Sequence, residues 1–366
     1  MTEFGRFFLP GPTEVRPEVL AAMVRPVIGH RGPEMSALLR EVDPGLRAVF
    51  RTSRPVYVSS SSATGLMEAS IRCGVRRCAL SLVNGAFSAR YRDLVADCGR
   101  EAETYDVAWG AAHDPGEVRR RLRAGGFDAV TVVHSESSTG VLNPVGEIAE
   151  AVRDAERETG EEILLLVDGV TSVGGAVVES EGWGLDFVLT GSQKALALPP
   201  GLAFGSASER MLGRAAVLAG RGQYFDLVEF DRQWASHQTP NTPAVNLIYA
   251  LAEQLRRIEA EGVEARVERH RAMMERTHRW VAEEGARRGL SLLAPEGARS
   301  PTVTAIALPE GLRGTQVARA LEARGFTIAP GYGKLKDTTI RIGHMGDHTV
   351  AGVEALLAAL EEVLEG

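Results

Sequence analysis

The sequence predicts an α/β protein with a mainly parallel sheet in a large domain and a smaller α+β domain at its C-terminal end. Two observations predict it. Through the first two-thirds of the chain, short apolar runs alternate with amphipathic stretches of helical period, and the run ILLLV at 163–167 has no polar residue at all. Such runs suit strands buried on both faces, as in a sheet with helices on either side. From about residue 247 the pattern changes to a long Glu- and Arg-rich helical stretch, followed by two-residue periodicity beside short helices.

The elements follow in order. Residues 55–58 read as a strand and 65–71 as the start of a helix. Strands are expected at 79–83, 129–134, 163–167, 187–189 and 202–204, with a helix over 145–159. Apolar residues at helical period mark the helices, and short apolar runs mark the strands. One or two charged helices then span 247–289, followed by a strand at 302–308, a helix at 314–324, strands at 326–329 and 339–342, and a helix at 350–364. This divides the chain into an N-terminal segment, 1–20, a large domain, 21–250, and a small domain, 251–366. There is no internal repeat and no low-complexity tract.

Composition narrows the function. The 366 residues are 44% hydrophobic and 24% charged, with a net charge of −7. That balance gives no reason to expect binding to nucleic acid or to an anionic membrane. No apolar stretch approaches the roughly 18 residues of a membrane span. The opening MTEFGRFFLPGP lacks a basic stretch followed by a long apolar run, so a cytoplasmic location is expected. Cys73, Cys78 and Cys98 have no His or Cys ladder around them and read as reduced thiols.

In parallel sheets, functional groups gather beyond the carboxyl ends of the strands. The ILLLV strand runs into Asp168. The next one, FVLT, runs into Gly191-Ser192-Gln193-Lys194, 26 residues later. Alone, such an Asp would more often cap a loop and such a Lys would be a solvated surface charge. Here Lys194 lies between small residues and the turn LPPG, directly after a buried strand. Pyridoxal phosphate chemistry needs this pair: a lysine that forms an imine with the cofactor aldehyde, and an acid that keeps the pyridine nitrogen protonated.

The segment DFVLTGSQKALALPPGLAF resembles the lysine signature of class V aminotransferases, which have the fold type I architecture, and most closely the alanine–glyoxylate and serine–pyruvate group. The resemblance runs from LPGPTEV near the start to IRIGHMGD near the end. It implies catalytic roles for Lys194 and Asp168. It implies a phosphate site at Ser61, Ser62, Ala63 and Thr64, where the family has a Gly-Ser-Gly-Thr-like turn whose glycines are absent here. Amides at a helix start, with hydroxyls, suit a phosphate dianion. Phe87 would stack on the pyridine ring and Val170 would cover its other face. Ser137 would lie near the phenolic oxygen, and Gln193 would reach the phosphate. Asn241 and Thr242 would complete the phosphate site of a neighbouring subunit, which requires a homodimer with shared sites. Arg341 would bind the substrate carboxylate, for which a planar guanidinium fits better than an ammonium. Gly11, with Pro10 and Pro12, would narrow the entrance, and His30 with Arg31 would offer a second anion contact.

The expected activity is transfer of an amino group from alanine or serine to glyoxylate or pyruvate. The alternative is phosphoserine transamination, because His30-Arg31 resembles a phosphate-binding pair of the related phosphoserine enzymes. A cysteine desulfurase or lyase of the same fold is less well supported, since it needs a nucleophilic cysteine late in the chain and all three cysteines precede residue 99. His344, Asp347 and His348 look like a metal cluster, but Asp347 reads as a cap or first-turn acid for the helix that follows, and no metal is expected.

Overall fold

The computed structural model describes residues 4–365. The main sheet has seven strands: β1 (Tyr57–Ser59), β2 (Cys78–Val83), β3 (Glu101–Asp106), β4 (Ala129–Val133), β7 (Leu164–Asp168), β8 (Phe187–Gly191) and β9 (Ala203–Ala207), in the order β1-β9-β8-β7-β4-β2-β3. β3, β2, β4, β7 and β8 run parallel, and β9 is antiparallel to both of its neighbours. Between β4 and β7 the short strands β5 (Ser135–Glu136) and β6 (Val141–Leu142) pair with each other.

The central strands β4, β7 and β8 are buried throughout, which is why they are continuously apolar. β3 was not expected. Its sequence EAETYD carries three acids because it is the edge strand, with most of its side chains partly or fully exposed. The small-domain sheet joins β10 (Ser291–Leu292), β11 (Thr304–Ala307), β13 (Thr339–Ile342) and β12 (Ala329–Pro330), in that order. The strand expected at 326–329 is only partly realised: Phe326 and Ile328 point into the small core, while the ladder itself forms at Ala329 and Pro330.

Two helices, Val245–Glu261 and Val263–Trp280, occupy the charged stretch. The buried residues of the first, up to Ile258, belong to the core of the large domain. Met273 and Trp280 of the second belong to the other core, which also holds Phe8 from the N-terminal segment. That segment runs between the two sheets. The Phe8 N–H bonds to Thr327 O at 2.7 Å, Gly343 N–H to Phe8 O at 2.8 Å, and Thr13 N–H to Gln193 O at 2.9 Å. It is thereby laid across the ends of the strands that carry Asp168 and Lys194.

Candidate active site

β7 ends on Asp168, whose register partners are Val133 on β4 and Leu189 on β8. β8 then delivers Ser192, Gln193 and Lys194. A tight turn holds this segment: Ser192 Oγ donates to Pro199 O at 2.8 Å, Leu198 N–H to Ser192 O at 3.0 Å and Ala197 N–H to Lys194 O at 2.8 Å. Lys194 is buried, and its ammonium donates to the backbone oxygen of Pro10. Burial, and then the nearby Arg341 charge, lower its pKa to about 8, against the opposing pull of Asp168. Burial raises the pKa of Asp168 to about 7, against the Val170 N–H that donates to its Oδ1 at 2.7 Å. That is the only hydrogen bond to the Asp168 carboxyl among the described residues.

Asp168 and Lys194 open into a cavity of about 350 Å³. Phe87 and Val170 both line it. Gly11 and Pro12 lie at its boundary, and a Cβ at Gly11 would come within 2.5 Å of Lys194 Nζ. Gly11 also has φ of +122°, so both backbone and space demand glycine there. A hollow of about 520 Å³ lies elsewhere, between Pro33–Phe50 and Val245–Glu261, but no strand end delivers a buried acid or amine to it.

One end of the cavity is the start of the helix Ala63–Gly74, with Ser62, Ala63, Thr64 and Gln193 in its lining. Ser62 occupies the N-cap without making a side-chain cap bond. The amides of Ala63 and Thr64 have no acceptor among the described residues, so this helix start presents free donors. Ser61 stands just outside the lining, its Oγ 2.9 Å from Ser59 Oγ.

Sequence reasoning missed Glu136, which fixes the Phe87 turn. It is fully buried, and Oε2 accepts from Phe87 N–H (3.1 Å), Ser88 N–H (2.9 Å) and Ser88 Oγ (3.0 Å). Oε1 accepts from Ser138 N–H and Oγ at 3.1 and 2.6 Å. The only signal was an acid between serines directly after a buried strand. Gly85 lets this carboxylate approach: a Cβ there would lie 2.3 Å from Glu136 Cγ.

Arg341, on β13, is buried. Its Nε donates to Pro330 O and its Nη1 to Ser137 O, both at 3.1 Å. It forms no ion pair among the described residues, and burial lowers its pKa to about 10, so it stays charged at neutral pH. A buried guanidinium without a counter-ion is a receptor for an anion. Ser137 is buried too, and here the structure shows its carbonyl holding Arg341.

Besides Ser61, Ser137 and Arg341, four more residues named from the sequence are absent from the lining of the cavity of their own chain. Arg31 donates to Thr239 O (2.6 Å) and Pro240 O (3.0 Å), and His30 Nε2 lies 3.5 Å from Thr242 Oγ1. Asn241 and Thr242 line a small cleft behind Ser59 and Ser60, where Ala244 N–H donates to Ser60 Oγ at 2.8 Å. The three residues that resembled a metal cluster are otherwise engaged. His344 Nε2 meets Thr304 Oγ1 at 2.8 Å, His348 Nε2 meets Phe7 O at 2.9 Å, and Asp347 pairs with Arg266 at 2.9 Å.

The family model for class V aminotransferases matches residues 90–356. The chain belongs to the class V aminotransferase family. An uncharacterized aminotransferase of Methanocaldococcus jannaschii is 38% identical over 98% of this chain and 92% of that protein. The serine–glyoxylate aminotransferase of Methylorubrum extorquens is 31% identical over 97% of this chain and 89% of its own. The crystal structure of an alanine–glyoxylate aminotransferase from Nostoc sp. superposes with a TM-score of 0.91 at 31% identity, covering 100% of this chain and 96% of that one. This class V aminotransferase is therefore an enzyme dependent on pyridoxal phosphate, with the fold type I architecture.

Its residues fit that cofactor. Asp168 is a buried carboxyl without a cationic hydrogen-bond partner, suited to a pyridine nitrogen. The free amides of Ala63 and Thr64 suit the phosphate, and Lys194, whose one hydrogen bond among the described residues is to a backbone oxygen and whose Nζ lies 5.9 Å from the centre of the Phe87 ring, can take the aldehyde.

Proposed function

We propose that this aminotransferase moves the amino group of alanine or serine to glyoxylate or pyruvate. The observation that carries the reading is Arg341: a buried, unpaired guanidinium close enough to depress the pKa of Lys194, beside a cavity of about 350 Å³. Pyridoxal phosphate supplies an aldehyde for the amino group and a ring that accepts the electron pair of the α-carbon.

The chain does the rest. Arg341 binds the α-carboxylate of the donor and so orients its α-hydrogen. The Lys194 amine, once displaced by the donor's amino group, would take that proton from the α-carbon and pass it to the cofactor carbon that carried the aldehyde, and would run the same transfer in reverse in the second half of the reaction. Asp168 would pair with the pyridine nitrogen and hold its proton there, and Phe87 and Val170 would hold the ring between them. The Pro10–Pro12 segment closes over Lys194 and limits the access of water.

The cysteines do not favour desulfurase chemistry. Cys73 and Cys78 are buried, none of the three lines the cavity, and burial raises the Cys73 thiol to about 11. The phosphoserine alternative rested on Arg31, whose guanidinium is engaged by two carbonyls outside the cavity of its own chain. The reading includes a homodimer, in which Asn241 and Thr242 serve the partner's phosphate site. Val24 and Val27, 85% and 71% exposed, support it as apolar side chains in the segment that leads to His30 and Arg31.

The test is a panel of amino donors against glyoxylate, pyruvate, phosphohydroxypyruvate and 2-oxoglutarate. Alanine or serine with glyoxylate or pyruvate should give the highest kcat/KM. A preference for phosphoserine would reject the reading. For the dimer, a mixture of Lys194→Ala and Asn241→Ala/Thr242→Ala chains should recover activity that neither variant has alone.

A further inference from the structure

A separate hollow of about 470 Å³ lies between the start of the helix Val145–Thr159 and the helix Val263–Trp280. It shares no lining residue with the cavity of Asp168 and Lys194. Its walls are largely apolar, formed by Trp183, Val177, Val267, Met274 and Pro301. Trp183 packs on the helix start at Gly146, where a Cβ would come within 3.2 Å of the indole. Apolar walls with a few placed polar groups are the make-up of a small-molecule site.

The backbone brings those polar groups together. Leu142 N–H donates to Ala298 O at 2.9 Å, which sets Arg299 beside the segment that enters the helix. Asn143 N–H donates to His134 O at 2.8 Å, which sets His134 beside the same segment. Arg299 is half-buried; its Nε donates to Ala294 O at 3.2 Å, and it forms no ion pair among the described residues. The helix start has no side-chain cap, because Pro144 occupies the N-cap, and the amides of Gly146 and Glu147 have no acceptor among the described residues. His134 is 2% exposed and lines the hollow. Its Nδ1 meets Ser172 Oγ at 3.0 Å, and its Nε2 has no hydrogen-bond partner among the described residues. Burial lowers its pKa to about 4, so the ring is neutral at pH 7. With the Ser172 hydroxyl donating to Nδ1, Nε2 carries the hydrogen and is a donor.

A buried ring nitrogen without a partner, two free amides and an unpaired guanidinium all call for an acceptor, and a helix start favours a negative one. The remaining charged residues of the lining are exposed: Arg271, whose Nη1 is 3.8 Å from Glu268, and Glu147 in the first turn of the helix. Arg299 and Arg271 against Glu147 leave one net positive charge, which matches a monoanion rather than a dianion.

We propose that this hollow binds a small aromatic monocarboxylate, with its carboxylate on Arg299 and the helix start and its ring against Trp183. The indole and the aliphatic walls take the ring, for which offset stacking is the favoured contact. His134 N–H also donates to Asp168 O at 2.9 Å, so the two sites adjoin without sharing a wall.

The test uses the holoenzyme and its Arg299→Gln, Trp183→Leu and Arg341→Met variants. Isothermal titration calorimetry measures hydrocinnamate, its uncharged amide and propionate, none of which carries an amino or keto group to react. The wild type should bind hydrocinnamate at least about tenfold more tightly than either of the others, the scale of one charged hydrogen bond. Arg299→Gln and Trp183→Leu should each weaken hydrocinnamate at least about tenfold, and Arg341→Met should leave it unchanged. Arg299→Gln gives up one bond to a backbone oxygen, so it should melt with the wild type and decides the matter if Trp183→Leu does not fold. Equal affinity for the amide would overturn the proposal, since the hollow would then read only the ring. So would unchanged binding by Arg299→Gln, or no binding by the wild type. A loss confined to Arg341→Met would place the carboxylate in the catalytic cavity and overturn it as well.

Discussion

Replacing Asp347 by alanine should destabilise the protein by about 3 kcal/mol, because it would strand a buried guanidinium. Asp347 and Arg266 are 7% and 2% exposed and pair at 2.9 Å. The other oxygen of Asp347 receives Arg16 Nε at 3.2 Å, and Gln254 Nε2 bridges both oxygens at 3.1 and 3.3 Å. Breaking a buried pair by removing one partner costs about 3–5 kcal/mol. Here Arg266 keeps Glu261 at 3.0 Å, a partner 26% exposed, so the loss falls at the lower end of that range. The effect depends on pH in a definite direction. Burial opposes ionisation of Asp347, but Arg266, Gln254 and Arg16 outweigh it and hold its pKa below the usual carboxylate value. A depressed folded pKa gives stability that is present above the unfolded pKa, about 3.9, and is lost as pH falls through the folded value. Urea unfolding at pH 7 and below pH 4 measures this. The gap between wild type and Asp347→Ala should be full at pH 7 and shrink in acid. A difference below about 0.5 kcal/mol at pH 7, the range of an ordinary surface change, or one independent of pH, would refute the argument. Activity should fall as well, because the same Arg266 donates through Nη2 to Ala195 O at 2.7 Å, next to Lys194.

Other outcomes follow from the site itself. Lys194→Ala should fold and lose turnover, and borohydride trapping of the wild type followed by peptide mapping should place the phosphopyridoxyl group on Lys194; a tag on another lysine would refute the assignment. Asp168→Asn should keep some cofactor but lose most activity, since an amide cannot hold the pyridine nitrogen in its charged form; near-normal turnover would count against that role. Cofactor uptake by the apoprotein needs the neutral amine, so its rate should rise through pH of about 8. Because Arg341 pushes the Lys194 pKa down, Arg341→Met should move that midpoint to higher pH, and an unmoved midpoint would argue against the coupling. Gly85→Ala should cost most of the activity by forcing a Cβ to within 2.3 Å of Glu136 Cγ and so displacing the Phe87 turn, read as loss of cofactor affinity with a folded circular-dichroism spectrum.

Legibility in the sequence tracked burial. β4, β7 and β8 are wholly buried, so each appears as an apolar run, and the residues at their ends, among them Asp168 and Lys194, could be named. β3 hid because an edge strand has one exposed side to furnish with acids. The same logic hid Glu136 and Arg266. A buried charge leaves no trace in hydropathy, since what makes it tolerable is a set of partners distant in the chain: the Phe87 turn for Glu136, and Asp347 and Ala195 for Arg266. Arg90, in the lining of the Lys194 cavity, was overlooked for the opposite reason. On a helix with many arginines nearby, nothing local separates a cation facing a cavity from one facing water. Asn241, Thr242, His30 and Arg31 could be placed by resemblance, but within one chain they meet each other or their neighbours Thr239 and Pro240 rather than Lys194.

The role proposed for Arg341 in binding a carboxylate is linked to the one the structure shows. Its Nη1 holds Ser137 O in the large domain while its Nε holds Pro330 O in the small one, so the guanidinium is a fastening between the domains before any substrate arrives. The N-terminal segment runs through the same seam, bonding to Gln193 through Thr13 and to Gly343 through Phe8. A receptor group fixed by two backbone acceptors loses little further rotamer freedom when it binds a carboxylate, which favours binding. The same fixation means that a carboxylate on Arg341 acts directly on the contact between the domains. Substrate binding should therefore stiffen the seam that carries Pro10 over Lys194. Slower amide exchange at residues 8–13 and 341–348 with a non-reacting carboxylate bound would show this. Unchanged exchange there, despite saturating carboxylate, would separate the fastening from the receptor.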